Sequence, residues 1–279
     1  MKRRTFTVEK PSRIEAVLRG ALAIDRDEAI ALVDRGAVYV DGRRAKDAAA
    51  RVGEGNRVMV VLEESGAPVT APSAKAPQLV VLYEDSEVLA VDKAPGITAQ
   101  PTPGKVGDSL VDLATAYLRR DAGLVHRLDR ETSGVTIFGK TPRATSKLAE
   151  AFREGRAKKE YLAVTASGLP DSGVIDLPLS KDPSRPGRWR ASDQANGIPA
   201  ETHFTKLHDD GAVAVVALFP QTGRTHQLRA HLAGIGFPIV GDRLYGGAEG
   251  PRCLLHARKL EIDKLSIEAP VPPEIARYM

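Results

Sequence analysis

His126-Arg127-Leu128-Asp129-Arg130-Glu131-Thr132-Ser133-Gly134 lies in an apolar context that runs from Leu124 to the strand-like Val135-Thr136-Ile137-Phe138. One short carboxylate stands between two guanidinium groups, and a small-residue turn leads directly into a β-branched run. An adjacent cation favours the ionised form of an aspartate, so Asp129 reads as a nucleophile or base on a rigid turn. A structural ion pair would show the same charge spacing, because such networks perturb carboxylates too. On either reading the turn feeds a strand.

Working outward, Leu79–Asp85 and Val88–Lys93 read as two strands joined by a polar turn, after which Ala94-Pro95-Gly96 breaks the ladder. Residues 109–119 are helix-like, with Leu110, Leu113 and Leu118 spaced for one face, and 146–156 read as a second helix before a strand over Lys158–Val164. Strand and helix signals alternate without regular long crossovers. That pattern predicts an α/β domain of the α+β kind, built on a mixed, largely antiparallel sheet flanked by helices. A second chemically loaded segment is Gln221-Thr222-Gly223-Arg224-Thr225-His226-Gln227-Leu228-Arg229-Ala230-His231-Leu232, closed later by Gly241-Asp242-Arg243-Leu244-Tyr245-Gly246. Helical spacing from Thr225 places Leu228 and Leu232 on one face and Arg229 on another.

His126–Gly134 resembles, without a gap, the H-R-L-D-x-x-T-S-G signature of the RluA-type pseudouridine synthases, and 224–229 resembles the family's R-T-H-Q-[IL]-R. The likeness runs from Leu79 to about Pro272. It implies a long bent mixed sheet with an active cleft across its middle, and the isomerisation of uridine to pseudouridine within RNA. It also implies roles: Asp129 as the essential catalytic residue, Arg224 as its ion-pair partner, and Leu228 as an apolar wall. Lys159 and Tyr161 match the family's Lys-x-Tyr, whose Tyr stacks on the target base and takes part in proton removal from C5. Arg127 resembles the Arg that fills the space vacated by an everted base, and His126, with Ser133, holds the loop beside the substrate. Two departures are visible: Ala94 and Pro95 are displaced relative to the family's Lys-Pro-x-Gly loop, and Asp263-Lys264 stands where a His-Pro follows the L-H-A motif, here Leu255-His256-Ala257.

No cofactor is expected, since the isomerisation has no net redox change. His226 and His231 are spaced i,i+5, not the i,i+4 of a helical metal pair, and no Glu lies between them. Gly234-Ile235-Gly236 finds its third glycine at Gly241, too late for a dinucleotide loop. A nucleophilic Ser133 would need a sharp elbow and a base aimed at it, and the sequence indicates neither.

Upstream, 13–19 and 27–33 read as two short amphipathic helices with Asp25 capping the second, followed by strands at Ala37–Val40 and Arg57–Leu62 about an Asp41-Gly42 turn. This order resembles the S4 RNA-binding domain, which implies that Arg13, Arg19, Arg35, Arg43 and Arg44 meet RNA phosphates through charge-assisted hydrogen bonds. The Pro-, Ala- and Ser-rich stretch Glu63–Pro77 reads as a linker, giving an S4-like domain over 1–63, a linker over 64–77 and a catalytic domain over 78–279.

A formal net charge of +4 is only mildly basic, so polyanion affinity must come from local clusters. Cys253 is the sole cysteine, which excludes an intrachain disulfide framework and a Cys-based zinc site. No signal-peptide core follows Met1-Lys2-Arg3-Arg4, and no uncharged apolar run approaches 18 residues. These features predict a cytoplasmic monomer with no membrane contact whose partner is RNA: large-subunit ribosomal RNA, with transfer RNA as the alternative. Two other readings remain open at this stage, a non-catalytic RNA-binding or ribosome-assembly protein and an RNA hydrolase using Asp129 and the histidines.

Overall fold

The computed structural model describes residues 2–34, 36–62, 79–101, 109–191 and 197–279. Its contacts separate two compact units, Met1–Gln78 with Gln100–Leu113, and Leu79–Ala99 with Ala114–Met279.

The first unit contains β1 (Lys2–Thr7), β2 (Ser12–Arg13), α1 (Ile14–Leu22), α2 (Arg26–Asp34), β3 (Val38–Val40), β4 (Arg43–Arg44), β5 (Arg51–Val52) and β6 (Arg57–Leu62). Its sheet runs β1-β6-β3-β4, all antiparallel, with β2 and β5 paired separately. Asp25 does cap α2. Its Oδ1 accepts the Glu28 N–H at 2.8 Å and Glu28 Oε2 accepts the Asp25 N–H at 3.2 Å, a reciprocal capping box. Ile14 and Leu18 of α1 and Ala29, Leu32 and Val33 of α2 bury the helical stripes against Val38, Val58 and Val60 of the sheet. Both Asp41 and Gly42 adopt positive φ, as a tight turn between β3 and β4 requires.

Among the arginines expected to meet RNA, Arg13 and Arg19 are exposed. Arg44 is already engaged: Nη1 donates to Asp112 Oδ1 at 2.9 Å, and the guanidinium fills the space beside Gly36, where a Cβ would lie 1.8 Å from its Nε. An arginine committed to a carboxylate offers less to a phosphate. Arg43 sits on β4, and Arg35 and the 64–77 segment lie outside the described residues.

The second unit contains β7 (Val80–Glu84), β8 (Val88–Lys93), the end of α3 (Leu110–Leu118), β9 (Gly123–Leu124), β10 (Ser133–Gly139), α4 (Pro142–Arg153) and β11 (Ala157–Ala166). There follow β12 (Ser172–Ile175), β13 (Leu179–Lys181), β14 (Trp189–Ala191), β15 (Thr202–Asp209), β16 (Val213–Pro220), α5 (Gln227–Gly234), β17 (Leu255–Ile262), β18 (Leu265–Glu268) and α6 (Pro273–Ala276). The main sheet runs β12-β15-β16-β11-β17-β10-β8-β7, and β13 and β14 form a separate ribbon. Along that path β10 and β17 pair in parallel and the other neighbours are antiparallel, so the sheet is mixed and largely antiparallel.

β10 is buried at all seven positions, which explains its nearly continuous apolar sequence. Gly134 makes its junction with β17 possible: φ is 112°, and a Cβ there would lie 2.2 Å from the Ala257 carbonyl oxygen. The glycine closing the Asp129 turn is therefore dictated by backbone packing. α4 starts ahead of the expected 146, because Thr141 caps it, its Oγ1 accepting the Ala144 N–H at 3.1 Å, with Pro142 at the first helical position. Apolar residues of β11, β16, α5 and β17 form one core and those of β8, β10, α4 and β18 another. Among the described residues no helix is long and apolar enough to cross a membrane.

Candidate active site

A cleft of about 870 Å³ opens between the Asp129 turn, the start of β11 and the start of α5. The turn is pinned from both sides. Thr132 N–H donates to the Asp129 carbonyl at 3.1 Å, and Gly96 N–H donates to the Arg130 carbonyl at 2.8 Å. Lys93, fully buried, spreads its ammonium over the carbonyls of Ala94 (3.0 Å), Ile97 (2.8 Å) and Arg130 (3.1 Å). Burial pushes Lys93 down to about 8, opposed by the charges of Asp129 and Glu131. The displaced Ala94-Pro95 thus still leaves this loop fastened to the Asp129 turn. On the other side Arg252 donates to Ser133 Oγ (3.1 Å) and pairs with Glu274 of α6 (2.8 Å), while Ser133 Oγ meets His256 Nδ1 at 2.9 Å.

His126 Nε2 accepts the Ile137 N–H at 3.1 Å, and its ring stacks on Phe152 at a centroid distance of 4.7 Å. Burial, with a smaller contribution from Lys159, pushes the imidazole down to about 3, so it is neutral. It lines the cleft as a brace between the turn and β10.

The cation facing Asp129 is Arg229. Its Nη1 lies 3.4 Å from Asp129 Oδ2, while Nε and Nη2 clasp Asp242 at 2.7 and 2.8 Å. Arg224, the expected partner, donates instead from Nε to the Pro199 carbonyl at 3.2 Å and remains exposed at the cleft mouth. The reason is where the helix begins. Regular helix starts at Gln227, after His226 in the left-handed region (φ 56°), and Arg224 belongs to the preceding turn, its N–H held by Gln227 Oε1 at 3.0 Å. Every residue from Gln227 to Leu232 is buried, so α5 lacks the solvent-facing side on which the spacing would have placed Arg229. Burial acts to lower the Arg229 guanidinium's pKa, but the Asp242 hydrogen bonds and charge outweigh it and hold the group above its ordinary value.

Tyr161 and Lys159 of β11, Leu228 of α5 and Arg127 all line the same cleft. Burial, reinforced by the Asp129 charge, raises the Tyr161 phenol well above its usual range, so it faces the cavity protonated. Leu228 is 7% exposed. Lys159 Nζ donates to the Thr222 carbonyl at 3.4 Å, and burial lowers its pKa. Besides Arg229, five cationic side chains line the cleft, Arg127, Arg153, Lys158, Lys159 and Arg224, none in a salt bridge with a described residue. Among the described residues no cluster of three or more His, Cys, Asp or Glu has the arrangement of a metal site.

Sequence reasoning had quoted Asp242 and Tyr245 without giving them a part, and it missed Lys93, His226 and Arg229 as site residues. A usable signal existed for two of them. A buried helical arginine must meet a carboxylate, and Gly241-Asp242 is the nearest acid downstream of Arg229 in that segment.

Residues 87–234 match a family profile described as RNA pseudouridylate synthase. An uncharacterized RNA pseudouridine synthase of Zymomonas mobilis is 40% identical over 207 residues, covering 69% of this chain and 93% of its own. The ribosomal large subunit pseudouridine synthase D of Xanthomonas campestris is 34% identical over 280 residues, covering 88% of this chain and 81% of its own. Among solved structures, human RNA pseudouridylate synthase domain containing 4 superposes with a TM-score of 0.61 at 26% identity, over 71% of this chain and 91% of the other.

Proposed function

The chain belongs to the RNA pseudouridylate synthase family and isomerises uridine to pseudouridine in RNA, and from that premise we propose that Asp129 is the group that acts on the ribose of an everted uridine in large-subunit ribosomal RNA. The observation that carries this reading is the placement of the Asp129 carboxylate in a cation-rimmed cleft, 3.4 Å from a guanidinium that is itself clasped by a second acid.

The reaction breaks the N1–C1′ bond and joins C1′ to C5 of the same base, with loss of the C5 proton and gain of one at N1. A carboxylate supports it by attacking C1′ or by removing a sugar proton. Tyr161, a neutral phenol, stacks on the uracil and orients or relays the C5 proton. Base stacking on an aromatic contributes about 1–3 kcal/mol and suits any pyrimidine. Leu228 closes the apolar side, so that the detached uracil stays in place. Extrusion of the base costs a few kcal/mol, and Arg127, exposed beside Asp129, enters the vacated stack.

Arg153, Lys158 and Arg224 then hold phosphates flanking the target. Each such pairing releases counterions, so replacing Arg153 and Lys158 together by Gln should flatten the slope of log affinity against log salt by about 0.7–0.9 for each phosphate no longer neutralised. An unchanged slope would remove both residues from the RNA path.

Residues 1–63 act as an S4-like RNA-binding domain that uses exposed Arg13 and Arg19, with 64–77 as the linker in sequence to a catalytic domain over 78–279. A second anchoring module raises the effective concentration of the cleft at a large structured RNA. Support for ribosomal RNA comes from the large-subunit synthase among the relatives and from this added module. The protein works as a cytoplasmic monomer. Deleting the gene and mapping pseudouridines across total RNA tests substrate and activity together. Loss of one or more large-subunit sites is expected; loss confined to transfer RNA would transfer the assignment there, and an unchanged map would overturn it.

A further inference from the structure

Asp129 presents its two carboxylate oxygens unequally. Oδ2 faces Arg229 Nη1 at 3.4 Å and His226 Nε2 at 3.9 Å, whereas no described residue hydrogen-bonds Oδ1. His226 precedes α5 with a φ of 56°, in the left-handed region that histidine visits more readily than most residues, and it lines the cleft.

The other ring nitrogen, Nδ1, lies 3.1 Å from the Tyr245 hydroxyl. That hydroxyl accepts the Trp189 N–H at 3.1 Å, and its own proton is available to Nδ1. With Nδ1 as acceptor, a neutral imidazole carries its proton on Nε2, the atom that faces the carboxylate. The opposite tautomer would set an Nε2 lone pair against Oδ2. Electrostatics and hydrogen bonding therefore select the same form. The charged groups facing the ring are Asp129, Arg229, Asp242 and Arg127, yet burial dominates and lowers the His226 pKa, so the ring is neutral at pH 7. Tyr245 is firmly placed, 6% exposed, with the guanidinium groups of Arg229 and Arg188 over its ring at 5.0 and 5.6 Å.

We infer that His226 is a positioning residue for Asp129: Tyr245 fixes its tautomer, Nε2–H and Arg229 together hold Oδ2, and Oδ1 is left as the oxygen that meets the ribose. The inference rests on Asp129 as the reacting carboxylate.

Nitrogen NMR on the full-length protein labelled with ¹⁵N-histidine reads the tautomer directly, His226→Gln identifying the signal. A neutral ring protonated at Nε2 is expected at pH 7, with the second tautomer gaining population in Tyr245→Phe. A charged ring, or one protonated at Nδ1, would overturn the inference. In single-turnover assays His226→Leu should slow isomerisation about 10²-fold, the size of effect a small misplacement of a reacting group produces, with the Kd for RNA within about twofold of wild type. His226→Gln, which keeps an N–H donor at similar reach, should recover to within about tenfold of wild type. Equal impairment of the Gln and Leu variants, or a defect confined to Kd, would also overturn it. Should Asp129→Asn prove active, the catalytic premise alone would fall, because the tautomer measurement stands without it.

Discussion

Replacing Asp129 by Asn is expected to abolish isomerisation, lowering single-turnover rate by at least about 10⁴-fold as loss of a reacting group does. An amide preserves the size of the side chain, and Asp129 is partly exposed with, among the described residues, one guanidinium and one imidazole paired to it, so the fold should be kept. Affinity for RNA should stay close to wild type, since phosphate contacts to the cationic rim supply most of it. Chemical labelling specific for pseudouridine, run beside a filter-binding titration, separates the two quantities. Turnover near wild type by Asp129→Asn would reject the role. Cleaved RNA as the wild-type product would instead revive a hydrolase.

Arg229→Ala should produce the largest loss of stability of any change at the site. Asp242 has a side chain only 1% exposed, and truncating Arg229 leaves that carboxylate buried without its cation. Breaking one side of such a pair costs about 3–5 kcal/mol, a substantial part of a domain's stability. Urea unfolding of Arg229→Ala, Asp242→Ala and the double variant measures it. The double variant should recover part of the loss, because the stranded charge is then gone. Arg229→Lys restores a charge without the fork that spans both Asp242 oxygens, and should remain impaired. Arg224→Ala, by contrast, removes an exposed side chain with one hydrogen bond to a carbonyl and should change stability by under about 0.5 kcal/mol. If Arg224→Ala proved the more damaging of the two, the Arg229–Asp242 clasp would lose its place as the foundation of the site.

The two arginines show where reading the sequence succeeds and where it stops. The Asp129 turn was legible because its information is local: charge spacing, small residues and the following β-branched run all lie within one short segment. The Asp25 cap and the Asp41-Gly42 turn were legible for the same reason. Arg224 and Arg229 stand five residues apart in one motif, and choosing between them required knowing that α5 starts at Gln227 and is buried from there to Leu232. A helix with no exposed face gives no periodicity from which to orient it. The start of α4 differs from the expected Ser146 for another reason, since the Thr141-Pro142 pair opens the helix at Pro142. Lys93 was hidden because lysine is rarely buried, and nothing in a linear reading foretells three carbonyls converging on one ammonium.

Arg252 joins Glu274 to Ser133, so the Asp129 turn is braced by an element made more than a hundred positions later. During synthesis the segment of the Asp129 turn emerges first and gains that tie only once Glu274 has followed.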